Sequence, residues 1–98
     1  MTVDIKCAGD SCNENLYRYL INSLVKLEAK YKQLKGSKVL FNDIEDIEGK
    51  RKSCEIKLNV SGREIFASSR NTNFESAAKE TLKVLYKRLH NHYETLTD

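Results

Sequence analysis

Lys79, Lys83 and Lys87 recur every four residues in the last third of the chain, and Arg88 follows directly. On a helix that spacing puts the three lysines on one face. Lys26 and Lys30 repeat the spacing nearer the start, with Arg18 and Lys32 further round. Rows of cations suit a nucleic-acid backbone, because each neutralised phosphate releases condensed counterions. The ordinary alternative is a solvated helix face. Glu28 can pair with Lys32, and Glu75 with Lys79, which weakens the signal. The unbroken row on the later helix is the stronger of the two. The candidate binding residues are therefore Lys26, Lys30, Lys79, Lys83, Lys87 and Arg88. A net charge of +3 permits a polyanionic partner without demanding one, since clustering matters more than the total.

Other reactive residues do not assemble into a site. His90 and His92 are two apart, so on a helix they point in different directions and do not share a metal. Ser11, Ser61 and Ser68 have no base that the sequence can identify. No glycine-rich phosphate loop precedes a helix. Asp43, Glu45, Asp46 and Glu48 lack the spacing of a calcium loop. No catalytic residue, metal site, cofactor or small-molecule substrate is expected. Cys7, Cys12 and Cys54 are an odd count without CxxC spacing, which predicts neither a disulfide framework nor a zinc site. They point to a reducing, cytoplasmic compartment, with Cys54 in the core, Cys7 on an inward-facing strand position and Cys12 in an exposed link. The start MTVDIKCAGD holds no apolar stretch long enough for a signal peptide or a membrane span.

The elements that must position the lysines follow from periodicity. In KSCEIKLNVSGREIFASS, Cys54, Ile56, Leu58 and Val60 alternate with polar residues, and Ser61-Gly62 is a two-residue hairpin connection. Pairing Val60 with Arg63 sets Leu58 opposite Ile65 and Ile56 opposite Ala67, and leaves Phe66 beside Lys57 on the other face. Such a hairpin is marginal alone, so its apolar face needs a cover. Thr2 to Cys7 alternate as a first strand, followed by a polar link over residues 8–12. Asn13 is a good helix cap. Leu16, Leu20, Leu24, Leu27, Tyr31 and Leu34 then form one stripe of a first helix, which Lys35-Gly36 should end. Ser37 to Asp43 is a second strand with Val39 and Phe41 inward, and the charged DIEDIEGKRK is a loop. Asn73 or Thr72 caps a second helix from Phe74 to Tyr93 or beyond, with Phe74, Ala78, Leu82, Leu85, Leu89 and Leu96 as its stripe.

The order β-α-β-β-β-α predicts a two-layer α+β domain, a four-stranded sheet with both helices on one face. The expected core comprises Leu16, Leu20, Leu24 and Leu27 from the first helix, Ile56, Leu58, Val60 and Ile65 from the hairpin, and Leu82, Leu85 and Leu89 from the second helix. Leu40 and Phe66 are expected on the open face. If adjacent there, they would offer a patch for weak self-association.

The runs LYRYLINSLVKLEAKY, CEIKLNVSGREIFASS and NFESAAKETLKVLYKRLHNHYETL resemble the ribosome hibernation promoting factors, also called ribosome-associated inhibitors or sigma-54 modulation proteins. The resemblance is co-linear over nearly the whole chain and includes Lys26-Leu27-Glu28. It implies a fold similar to double-stranded RNA-binding domains and residues 1–98 as a single ribosome-binding domain of the short form. It also implies a non-enzymatic translation inhibitor, active under stress or in stationary phase. Such a protein would bind the small ribosomal subunit near the decoding centre, block mRNA and tRNA, and be a cytoplasmic monomer away from the ribosome. A general double-stranded RNA-binding module is the alternative. Lys26 and Lys87 match basic family positions. Val84, Asn91 and Ser23 stand where the family usually has a cation. Lys79 and Lys83 are then candidates to replace the lost charges.

Overall fold

The computed structural model describes residues 2–8 and 12–96, with side chains as far as Tyr93. Ser11, most of the expected polar link and the Leu96 side chain lie outside the described residues. Six elements follow in order: β1 (Thr2–Cys7), α1 (Glu14–Lys30), β2 (Leu34–Asp46), β3 (Gly49–Val60), β4 (Arg63–Asn71) and α2 (Phe74–Leu96). The sheet order is β1-β2-β3-β4. β1 runs parallel to β2, as the intervening helix allows, and the other pairs are antiparallel.

The hairpin of β3 and β4 has the expected register. Val60 pairs with Arg63, Leu58 with Ile65, Ile56 with Ala67, and Lys57 with Phe66. Ser61 and Gly62 take φ of 52° and 85°, the two positive values that a tight turn of this hand requires. The Asn59 Oδ1 accepts the Gly62 N–H at 3.0 Å. Ile56, Leu58, Val60, Ile65 and Ala67 are buried on one face, and all the expected core residues of the two helices are buried with them. Val39, Phe41, Cys54, Phe74 and Ala77 complete the layer. The caps explain where the helices begin. Asn13 Oδ1 accepts the Leu16 N–H at 2.9 Å, and Asn73 Oδ1 accepts the Ser76 N–H at 2.8 Å, so Asn73 rather than Thr72 caps α2.

Three expectations are corrected. First, α1 stops at Lys30, not at Leu34. Tyr31 leaves the helix with φ −119° and ψ 90°, and Leu34 instead begins β2 opposite Val60. Its inward position satisfies the helix period and the strand equally. Second, residues 44–51 are not a loop. They continue β2 and β3 into a two-stranded arm that turns at Ile47-Glu48, beyond the last pairs of β1 and β4. The acidic half of that stretch faces the basic half across the arm. Asp43 pairs with Lys52 and Glu48 with Arg51 as ion pairs, while Asp46 lies 3.6 Å from Arg70 of β4 and 4.0 Å from Arg51. Opposite charges on facing strands favour the ladder.

Third, Cys7 and Cys12 form a disulfide, with Cα atoms 6.4 Å apart. It joins the end of β1 to the residue before the α1 cap. Cys54 is the odd thiol. Its side chain is buried, and burial pushes its pKa up to about 11, with a Thr81 hydrogen bond opposing the shift and Glu55 adding to it. The expectation of unpaired thiols, which supported a reducing compartment, rested on the odd count and the spacing. Spacing does not reveal that the chain folds back within five residues.

Two tests follow from the packing. Leu24→Ala and Leu85→Ala should each lower stability by about 2–5 kcal/mol, because each leaves a cavity in a closed layer. Near-wild-type melting of both would show the stripes to be misassigned. Thiol titration of the denatured, unreduced chain should count one thiol, Cys54, and three after reduction. Three before reduction would show that Cys7 and Cys12 are not joined.

Candidate nucleic-acid interface

The two helices lie side by side over the buried face of the sheet, and their facing edges carry rings and cations. On α1, Tyr19 and Lys26 are seven residues apart, as are Ser23 and Lys30. A seven-residue step returns a helix to nearly the same face. Ser23 is buried at this edge and its hydroxyl donates to the Tyr19 carbonyl at 2.9 Å. On α2 the same step links Lys79, Tyr86 and Tyr93. The Lys79 ammonium sits 5.9 Å from the centre of the Tyr19 ring, bridging the two helices. Burial, with the neighbouring Tyr19 phenol, raises the Tyr86 phenol above its ordinary value, and a Ser23 hydrogen bond opposes this.

Further along the seam the helices part around a groove of about 500 Å³. Buried Leu27 lies beneath it. Tyr31, Tyr86 and His90 contribute rings, and Lys26, Lys30 and Lys87 contribute cations. Tyr31 stacks on Tyr93 with ring centres 4.6 Å apart and planes at 22°. The Lys30 ammonium lies 5.5 Å from the Tyr31 ring centre. Tyr31 is placed here because it ends α1, so the early stop of that helix shapes the groove.

Of the six cations expected from sequence, Lys26, Lys30 and Lys87 meet at the groove, and Lys79 stands higher on the same seam. Lys83 is exposed one turn from each of Lys79 and Lys87. Arg88 is not brought together with them. It lies about 100° round the helix from Lys87, and its guanidinium donates to the Phe66 carbonyl of β4 at 2.7 Å. The rings of Tyr31, Tyr86 and His90 were missed as groove residues, as was the Tyr19 ring on the seam. The signal that could have found Tyr19 and Tyr86 is the seven-residue recurrence of tyrosine with lysine along both helices; Tyr31 and His90 lie outside that pattern.

The three neutral positions have different surroundings. Ser23 is buried in the seam, Val84 is half-buried against the core, and Asn91 is exposed beside Arg88. On the open face of the sheet, Phe66 pairs with Lys57, while Leu40 pairs with Glu55 and with Lys6. β3 therefore separates Leu40 from Phe66, and they do not form one apolar patch. Among the described residues, no group of three or more His, Cys, Asp or Glu side chains is placed to hold a metal ion. No described helix is long and apolar enough to cross a membrane.

No protein-family model matches the chain, and no curated protein sequence matches it significantly. Its similarity to known proteins is found in three dimensions. A ribosomal subunit interface protein from Coxiella burnetii superposes with a TM-score of 0.81 at 13% identity, covering 96% of this chain and 99% of that one. The Protein Y N-terminal domain of Thermus thermophilus superposes with a TM-score of 0.64 at 12% identity, covering 89% of this chain and 91% of that one. The α+β fold implied by the sequence resemblance is thus the fold observed, and the chain shares its architecture with a ribosomal subunit interface protein and with Protein Y.

Proposed function

We propose that this chain is a non-catalytic translation inhibitor that binds the small ribosomal subunit in the cytoplasm and holds ribosomes idle. The helix seam faces rRNA. The observation that carries this reading is the meeting of Lys26, Lys30 and Lys87 around one groove, with Lys79 on the same seam. Lys83 and Arg88 extend the cationic surface outward and towards β4. A solvated helix face gives no reason for cations of two helices to converge. Phosphate backbone does, because neutralising several phosphates together releases several counterions. The shared fold with a ribosomal subunit interface protein supports a ribosomal partner for this surface. Steric occupancy near the decoding centre, denying space to mRNA and tRNA, then needs no acid, base or nucleophile.

Co-sedimentation with small subunits across a salt series tests this. Log affinity should fall linearly with log salt, and alanine at any one contacting lysine should flatten the slope by about one. Lys87→Glu should weaken binding more than Lys87→Ala, and inhibition of translation should decline in parallel with binding. Replacing Lys79 and Lys83 together with alanine should weaken binding if they supply the charge absent at Val84 and Asn91. Unchanged binding would remove those two from the contact set. Normal binding of Lys87→Glu at raised salt would overturn the interface and turn attention to the open sheet face around Lys57. Equal affinity for free duplex RNA would replace the ribosome by duplex RNA in general.

A further inference from the structure

We propose that the groove between α1 and α2 seats one unpaired nucleotide of an RNA strand, its base against the tyrosine rings and its phosphate among the lysines. The proposal rests on the helix seam being the RNA-facing surface and adds a pocket to it. Shape recognition of duplex backbone needs cations and no rings. This groove has rings. Tyr86 is 42% exposed and Tyr31 is held in place by its stack on Tyr93. An aromatic face that is pre-positioned and reachable by solvent suits an unstacked base, whatever its sequence. The Lys30 ammonium already lies over the Tyr31 ring, an exposed contact that an incoming base and phosphate can exchange for stacking and an ion pair.

Charge and size agree. Among the described residues, the groove is lined by Lys26, Lys30 and Lys87 and by no carboxylate. The other hollows described on this chain each include at least one, namely Glu75, Glu55, Glu64 and Glu45. At about 500 Å³ the groove also falls within the range of small-ligand sites, roughly 300–1,000 Å³. An acidic peptide would satisfy the lysines but would leave the flat rings unused. A nucleotide uses both.

The test titrates the protein with single-stranded oligoadenylate of five nucleotides and, separately, with a short RNA duplex, following the tyrosine ring resonances by NMR. The single strand should shift Tyr31 and Tyr86. Tyr86→Ala should weaken its binding by about 5- to 100-fold, while Tyr86→Phe, which keeps the stacking face, should bind as the parent does. Tyr86 is outside the buried core, and an unchanged melting temperature would confirm that the variant is folded. Equal perturbation by the duplex, or wild-type affinity of Tyr86→Ala for the single strand, would overturn the pocket. Sedimentation with small subunits separates the two proposals. If Lys87→Glu weakens subunit binding and Tyr86→Ala leaves the single strand bound, the interface stands and the pocket falls. If Tyr86 governs oligoadenylate binding but no subunit binding occurs, the pocket stands and the ribosomal reading falls.

Discussion

One apolar face governs this molecule. Ile56, Leu58 and Val60 of β3 and Ile65 and Ala67 of β4 are set side by side by a two-residue turn, and water cannot be left against them. α2 is the main cover. Its rotation is fixed by Leu82, Leu85 and Leu89 on that face and by Thr81, whose buried hydroxyl donates to the Ala77 carbonyl at 2.7 Å and reaches the Cys54 carbonyl at 3.2 Å. Once Leu85 and Thr81 point inward, every other position is determined. Lys83 faces water, Tyr86, Lys79 and Lys87 turn to the seam with α1, and Arg88 turns to β4. The placement of the cations is thus a consequence of how the helix satisfies the sheet.

The same logic shows what a one-dimensional pattern reveals. The hairpin register and the leucine stripes were legible because burial on one face imposes periods of two and 3.6. Leu34 was misplaced because a local period cannot announce a partner as distant as Val60. The arm read as a loop because its charges gain meaning only in pairs across the turn, Asp43 with Lys52 and Glu48 with Arg51. Arg88 was grouped with Lys87 by adjacency, whereas neighbouring residues on a helix diverge by about 100°. The groove was half legible. Its lysines stood out as cations, but Tyr31 and Tyr86 blended into the margins of the apolar stripes.

Charge is sorted along the fold more than its small total suggests. The arm concentrates acids on β2 and bases on β3 and pairs them internally or with Arg70. The helix seam gathers lysines from two helices. A polyanion approaching this surface meets a positive seam and an arm that largely neutralises itself. Orientation on the partner therefore comes from the distribution of charge rather than from its sum.

β1 is an edge strand, hydrogen-bonded on one side only. Peeling of such a strand is ordinarily among the least costly local openings of a small domain. The Cys7–Cys12 bridge changes its cooperativity. It fastens the end of β1 next to Asn13, whose side chain holds the first turn of α1. β1 can fray from Thr2, but it cannot detach at Cys7 without pulling on the start of the helix. While the bridge is intact, strand edge and helix start become one unit of opening, and its reduction divides them into two.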